Sequence, residues 1–202
     1  FHGVDGNALL IKALHDRDPQ VLATLVKQLR PRGIAGAVGR LLEYLESPFS
    51  PVRDAARESL SEFTFARYLA VFDLLEDEVR KSSGGLVVRV DPRAVQCLLE
   101  EFQALSRTRR LRAIALTVAM DLVFTLEEAL IAKLEDDDHI VRAEAARALA
   151  ACDTDATQAA LETALSDRST AVQEAAEGSL RELANAPPPQ PPLPPWEEEA
   201  IV

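Results

Sequence analysis

The sequence predicts an all-α fold, an α-solenoid of about five to six stacked antiparallel helical hairpins, one of them irregular. Three observations predict it: a phrase repeated four times without gaps, an apolar face on each half of the phrase, and a polar turn between the halves. The copies run Leu10 to Leu29, Leu41 to Leu60, Leu130 to Leu149 and Leu161 to Leu180, aligned on anchors Val21, Val52, Val141 and Val172.

In each first half, one helical face carries a leucine pair: Leu10 and Leu14, Leu41 and Leu45, Leu130 and Leu134, Leu161 and Leu165. After the anchor, a second face carries Leu25 and Leu29, Ala56 and Leu60, Ala145 and Leu149, Ala176 and Leu180. The turns between them are punctuated: Asp18-Pro19 and Ser50-Pro51 set a capping side chain just ahead of a proline suited to a first helical turn. Each copy therefore reads as an antiparallel helix pair.

Anchors 31 residues apart bound the ends, and 89 residues separate Val52 from Val141. A weaker anchor at Leu111, after a helix containing Leu98, Leu99 and Phe102, fits between them and completes five full hairpins plus one damaged unit near residues 64–91. There a long apolar helix from about Thr64 to Lys81 is expected to end at Gly84-Gly85. The alternating valines of Leu86-Val87-Val88-Arg89-Val90 predict an extended segment rather than a partner helix.

The stretches Ser50 to Leu60 (SPVRDAARESL) and Asp138 to Leu149 (DHIVRAEAARAL) resemble the second helix of short bacterial HEAT repeats, the kind also found in phycobilisome lyases. The resemblance covers nearly everything from Asn7 to Leu183. It implies a right-handed superhelix, with second helices lining a concave, protein-binding side. It also implies that an arginine after the anchor bonds an acidic residue near the turn and knits successive units. Arg53 and Arg142 match, Arg112 keeps the pattern after the weak anchor, and Leu22 and Gln173 depart from it, so softer packing is expected at both ends.

Composition agrees with a scaffold. Burying a leucine contributes roughly 1.5–3 kcal/mol, against an ordering cost of about 1–2 kcal/mol for each residue of a hairpin, so only a stack is stable. The net charge of −11 argues against a phosphate-binding surface and points to another protein or peptide, with a preference for basic partners, and not to nucleic acid. Arg107, Arg109, Arg110 and Arg112 form one basic cluster, which either binds an acidic partner or neutralises acidic neighbours. No apolar run suits a membrane and no signal peptide opens the chain, which predicts a cytoplasmic protein; the start at Phe1 suggests a segment of a larger bacterial one.

Catalytic chemistry is not expected. Cys97 and Cys152 stand apart among apolar helical residues and read as small buried hydrophobes. The run Glu135-Asp136-Asp137-Asp138-His139 falls at a turn, lacks the spacing of a calcium loop and reads as helix capping. His15 occupies the equivalent turn of the first copy and reads as exposed. Gly33 to Gly39 lacks the Lys-Ser/Thr of a phosphate loop and reads as a linker. No cofactor, metal or catalytic residue is assigned.

Two departures from the repeat are the functional candidates. In the damaged unit, Tyr68 and Phe72, with Phe63 and Phe65, either fill the space of a missing helix or form an aromatic groove. The tail, residues 187–202, is proline-rich: Pro191 to Pro195, including Leu193, suits a proline-recognising domain, a linker is the plainer reading, and Trp196 suits a cap for the solenoid end. The domain is expected to run from 1 to 186. Exposed second-helix positions Asp54, Arg57, Ala143 and Arg147 complete the candidate contacts, with Tyr68, Phe72, Leu193 and Trp196. The reading is a noncatalytic protein-interaction scaffold. A subunit of a chromophore lyase or other modifying enzyme is the alternative from the repeat type, and a HEAT-like nucleic-acid binder is a weaker one.

Overall fold

A computed structural model describes residues 4–185 of the chain, with side chains from residue 6. The described residues form twelve α-helices and one 3-10 turn, and no strand. The chain divides into two compact units, Phe1–Leu122 and Val123–Val202, where the sequence predicts one continuous domain.

The first unit holds four hairpins: α1 (Val4–Ala13) with α2 (Pro19–Gln28), α3 (Ala37–Tyr44) with α4 (Ser50–Ser59), α5 (Phe65–Val71) with α6 (Asp77–Val90), and α7 (Ala94–Phe102) with α8 (Arg107–Ala119). The second holds two: α9 (Glu127–Lys133) with α10 (His139–Leu149), and α11 (Asp155–Ala164) with α12 (Thr170–Asn185). Within each unit, second helices stack on second helices, α2 on α4, α6 on α8 and α10 on α12. Sequential hairpins packed this way make an α-solenoid.

The described residues form six hairpins, and the third, in the region predicted to be damaged, is the irregular one. The predicted long helix 64–81 is broken: α5 gives way to a 3-10 turn at Phe72–Leu74, and Leu75 takes an extended backbone. The predicted extended segment is helix, because Val87 and Val90 sit three apart and both face the core, Val90 joining the cluster built by the first two hairpins. The glycines end nothing. A Cβ on Gly84 would stand 2.7 Å from the Ala119 carbonyl and 3.0 Å from Tyr68 Oη, so this glycine permits α6 to approach α8.

The caps at Asp18, Phe49, Glu76, Ser106 and Asp138 set a common register. Three residues past the cap come Val21, Val52, Val79, Arg109 and Val141, so the weak anchor is not Leu111, and Val79 is an anchor not predicted from sequence. Val52 to Val79 spans 27 residues where 31 is usual; this shortening is why one unit escaped the periodicity. Asp18 Oδ1 accepts from the amides of Gln20 and Val21, as expected of a cap. Ser50, in contrast, is already helical behind the cap Phe49, which makes no side-chain capping bond.

Val21 is itself 42% exposed, whereas Val52, Val141 and Val172 are fully buried. In α2 the inward stripe is Leu22, Ala23, Val26 and Leu29. Leu22 and Val26 stand where α4 has Arg53 and Arg57, so the apolar surface of α2 begins one residue later, a turn of about 100°. Between α2 and α3, Gly33 and Gly36 take positive φ of 63° and 70°, as a tight interrepeat linker requires.

In five of the six hairpins the residue after the anchor binds the turn before its helix. Arg53 donates to the Ser47 carbonyl at 2.7 Å, Arg80 to Phe72 at 2.9 Å, Arg110 to Leu105 at 2.8 Å and Ala104 at 3.2 Å, Arg142 to Asp136 at 2.8 Å, and Gln173 to Asp167 at 2.6 Å. These bonds satisfy turn carbonyls, of which Phe72 also accepts from the Leu75 amide at 3.2 Å. The expectation from sequence needs three corrections. Arg110 takes the position given to Arg112, Gln173 maintains it at the far end, and Arg80 adds a rung. Leu22 alone departs among the six hairpins.

Candidate functional site

The shortened third hairpin leaves a groove in the first unit. Helix α6 packs through its C-terminal half, Val87 and Val90, and Gly84 meets α8, but among the described residues no comparable stack joins α4 to α6. The N-terminal half of α6 is left uncovered. Val79, Ser83 and Val87, four residues apart, fall on one helical face, of which Ser83 and Val87 line the gap. Phe63, Tyr68, Val71, Leu75, Ser83 and Val87 line a cavity of about 280 Å³ there, with Glu62 and Arg67 at its rim.

Exposed apolar residues stand in the same hairpin as this cavity. Val71 is 42% exposed, Leu74 84% and Val79 44%, with Leu75 half-buried between them. Leucine and valine at such exposure each forgo burial worth roughly 1.5–3 kcal/mol. Four such residues within nine positions of one hairpin, two of them lining the cavity, are therefore the informative feature, where a single exposed apolar residue is not.

The wall behind the groove is tied together by several contacts. Tyr68, only 4% exposed, donates through Oη to the Arg80 carbonyl at 2.6 Å, and burial pushes its phenol up to about 12. Phe72 meets Tyr68 edge-on with centroids 5.5 Å apart, and the Arg80 guanidinium lies 4.8 Å from the Phe72 centroid. Arg80 Nη1 also takes Asp77 at 2.9 Å. Four interactions thus fix the turn that presents Leu74.

Of the residues predicted from sequence, Tyr68 lines the cavity with its buried ring, whereas Phe72 is buried behind it and is closed to a partner. Aromatic filling and an apolar groove coexist, but aliphatic side chains supply the exposed surface. Asp54 and Arg57 are accessible on α4 and pair with each other at 3.4 Å. Arg147 is exposed and pairs with Glu144 at 2.5 Å. Ala143, expected at the surface, is 3% exposed, because α10 is apolar on several sides and buries Val141, Ala143, Ala145, Ala146, Ala148 and Leu149. Leu193 and Trp196 lie outside the described residues. Val71, Leu74, Leu75 and Val79 were missed; the signal available for them was the valine at 27 instead of 31 residues from Val52.

The other candidate residues make contacts within the chain. Arg109 holds Glu101 with bonds of 2.8 and 2.7 Å, which keeps that carboxyl below its usual range, and Arg112 pairs with Asp73 at 2.6 Å. In the second unit, Thr154 and Thr157 donate to Glu127, the latter at 2.8 Å, and lower its carboxyl range. Burial pushes the adjacent Cys152 thiol up, away from thiolate chemistry. Asp138 caps α10 by accepting from Ile140 at 2.8 Å. Among the described residues no three His, Cys, Asp or Glu side chains converge as a metal site would require, and no helix is long and apolar enough to cross a membrane.

Paired helices repeated in sequence and stacked second on second define a helical-repeat protein, a fold of the kind used as a protein-binding scaffold. No family model matches the chain, and no curated protein does. Among solved structures, two engineered proteins, both targets of the Northeast Structural Genomics Consortium, are similar. They are 20% and 23% identical, covering 89% and 91% of this chain and 80% and 84% of their own, each at a TM-score of 0.41. A designed armadillo repeat protein is 16% identical over 87% of this chain and 98% of its own, at a TM-score of 0.33.

Proposed function

We propose that this chain is a noncatalytic protein-interaction module of the short bacterial HEAT type, a segment of a larger cytoplasmic protein. The observation that supports it is the apolar groove of the third hairpin. The stack of second helices is interrupted there, and Leu74 and its neighbours stand in solvent beside the buried Tyr68 and Phe72. Enzymes of comparable size gather perturbed ionisable groups in a cleft. Here Glu101, Glu127, Arg142 and Asp167 are perturbed by an ion pair or hydrogen bond to a neighbouring element, and Tyr68 and Cys152 by burial.

The test is affinity capture from a lysate of the source cells, using the full chain and a Leu74→Glu, Val79→Glu variant in parallel, with mass spectrometry of what is retained. A protein held by the first and lost from the second supports the reading. Retention of nothing above background by either chain would remove the scaffold as an explanation.

A further inference from the structure

The groove identifies the chemistry of its occupant, if the scaffold reading holds. A cavity of about 280 Å³ is at or below the small end of ligand sites, which run from roughly 300 to 1,000 Å³, and suits one large side chain better than a cofactor. Val71 at the cavity's edge, with the exposed Leu74 and Val79 near it in the same hairpin, supplies apolar surface for further anchors. An occupant matching both is an amphipathic segment that seats one apolar anchor in the cavity and lays others on that surface, in the manner of a helix in a groove.

Charge decides which amphipathic segment. Asp73, Glu76, Asp77 and Glu78 are interleaved with Leu74, Leu75 and Val79, and all four are exposed. Asp73 is matched by Arg112 and Asp77 by Arg80, whereas Glu76 and Glu78 hold no ion pair among the described residues. On the opposite rim Arg67 stands next to Glu62, which is itself paired with Arg30. The local balance is acidic, like the whole chain at −11. A second copy would bring the same carboxylates against themselves, an unfavourable self-pairing.

We propose that the groove of the third hairpin binds a short amphipathic peptide segment whose apolar anchors are flanked by lysine or arginine, the anchors meeting Val71, Leu74 and Val79 and the basic flanks meeting Glu76 and Glu78. Electrostatic complementarity of this kind acts on association rate and on selection against wrong partners, so the binding weakens with salt.

The experiment is fluorescence anisotropy of the full chain with two labelled helical peptides that share leucines at i, i+3, i+4 and i+7, one flanked by lysines and its twin by glutamates. The lysine peptide is expected to bind at least about tenfold more tightly than the twin. Leu74→Glu is expected to abolish that binding. Glu76→Lys with Glu78→Lys reduces it and transfers preference toward the glutamate twin. All three positions are solvent-exposed, so circular dichroism of the variants serves as the folding control.

Equal affinity for both twins, or no binding by either, overturns the proposal. So does unchanged binding by the charge-swapped variant. A concentration-dependent dimer that Leu74→Glu dissolves would make a second copy the occupant, and a shift of Trp196 emission in that variant would make it the chain's own proline-rich end. Either also overturns the peptide. If the lysine peptide fails while lysate capture still depends on Leu74, the scaffold stands and only this partner chemistry falls.

Discussion

Arg142 holds Asp167 by two parallel bonds, Nε to Oδ2 at 2.8 Å and Nη2 to Oδ1 at 3.0 Å, while its Nη1 takes the Asp136 carbonyl at 2.8 Å. One buried guanidinium thus joins the turn of the α9–α10 hairpin to that of the α11–α12 hairpin. Arg53, at the same register in the first unit, has only the Ser47 carbonyl among the described residues. Removing one partner of a buried pair strands the other, at about 3 kcal/mol or more, whereas a single hydrogen bond is worth about 1 kcal/mol. Arg142→Ala is therefore expected to cost at least twice what Arg53→Ala costs in urea denaturation. Equal losses would show that the carboxylate adds nothing to the carbonyl bond.

Acid should act on the same contact. The hydrogen bonds from Arg142 hold Asp167 below its ordinary 3.8, and those from Arg109 and Thr154 hold Glu101 and Glu127 below 4.5. The unfolded chain then takes up protons more readily than the folded one. Stability is fully present above these ordinary values and drains as pH falls through the lowered folded ones. The midpoint of thermal unfolding is expected to fall steeply below about pH 4, and less steeply in Asp167→Asn. A midpoint flat to pH 3 in the parent chain would contradict this.

Two adjacent glycines in one helix predict opposite outcomes. Alanine at Gly85 meets nothing within 4 Å and removes a flexible residue from the middle of α6, so it is expected to stabilise by up to about 1 kcal/mol. Alanine at Gly84 gains the same propensity but presses a methyl onto the Ala119 backbone, and overpacking of that kind costs typically about 1–3 kcal/mol. Denaturation of the two variants decides it: Gly84→Ala more stable than the parent would mean that α6 and α8 do not approach as described.

Leu22→Arg restores the residue that most copies carry, yet it is expected to destabilise. Leu22 is buried among the α2 stripe, and an arginine there loses about 2 kcal/mol of apolar burial and places a charge against the first core. A gain in stability would show that α2 can turn to the register of α4.

Much of this protein was legible in its sequence because the signals are local. Leucines four apart define a face whichever helix later covers it, and Asp18 and Asp138 cap their helices with atoms only two residues away. Helix pairing, turn positions and the leucine faces of the first helices follow from such short-range geometry. What the local pattern misread depends on atoms distant in the chain. Gly84-Gly85 signals a helix end until the Ala119 carbonyl and Tyr68 hydroxyl arrive beside it, and the valines of 86–90 suit a strand until Val90 finds the first core. Val21 and Ala143 show the same limit, since exposure is set by which neighbour covers a face. The groove belongs wholly to tertiary structure: a hairpin shortened between Val52 and Val79 leaves α6 half stacked, and only packing reveals that Val71, Leu74 and Val79 are the side chains left in water.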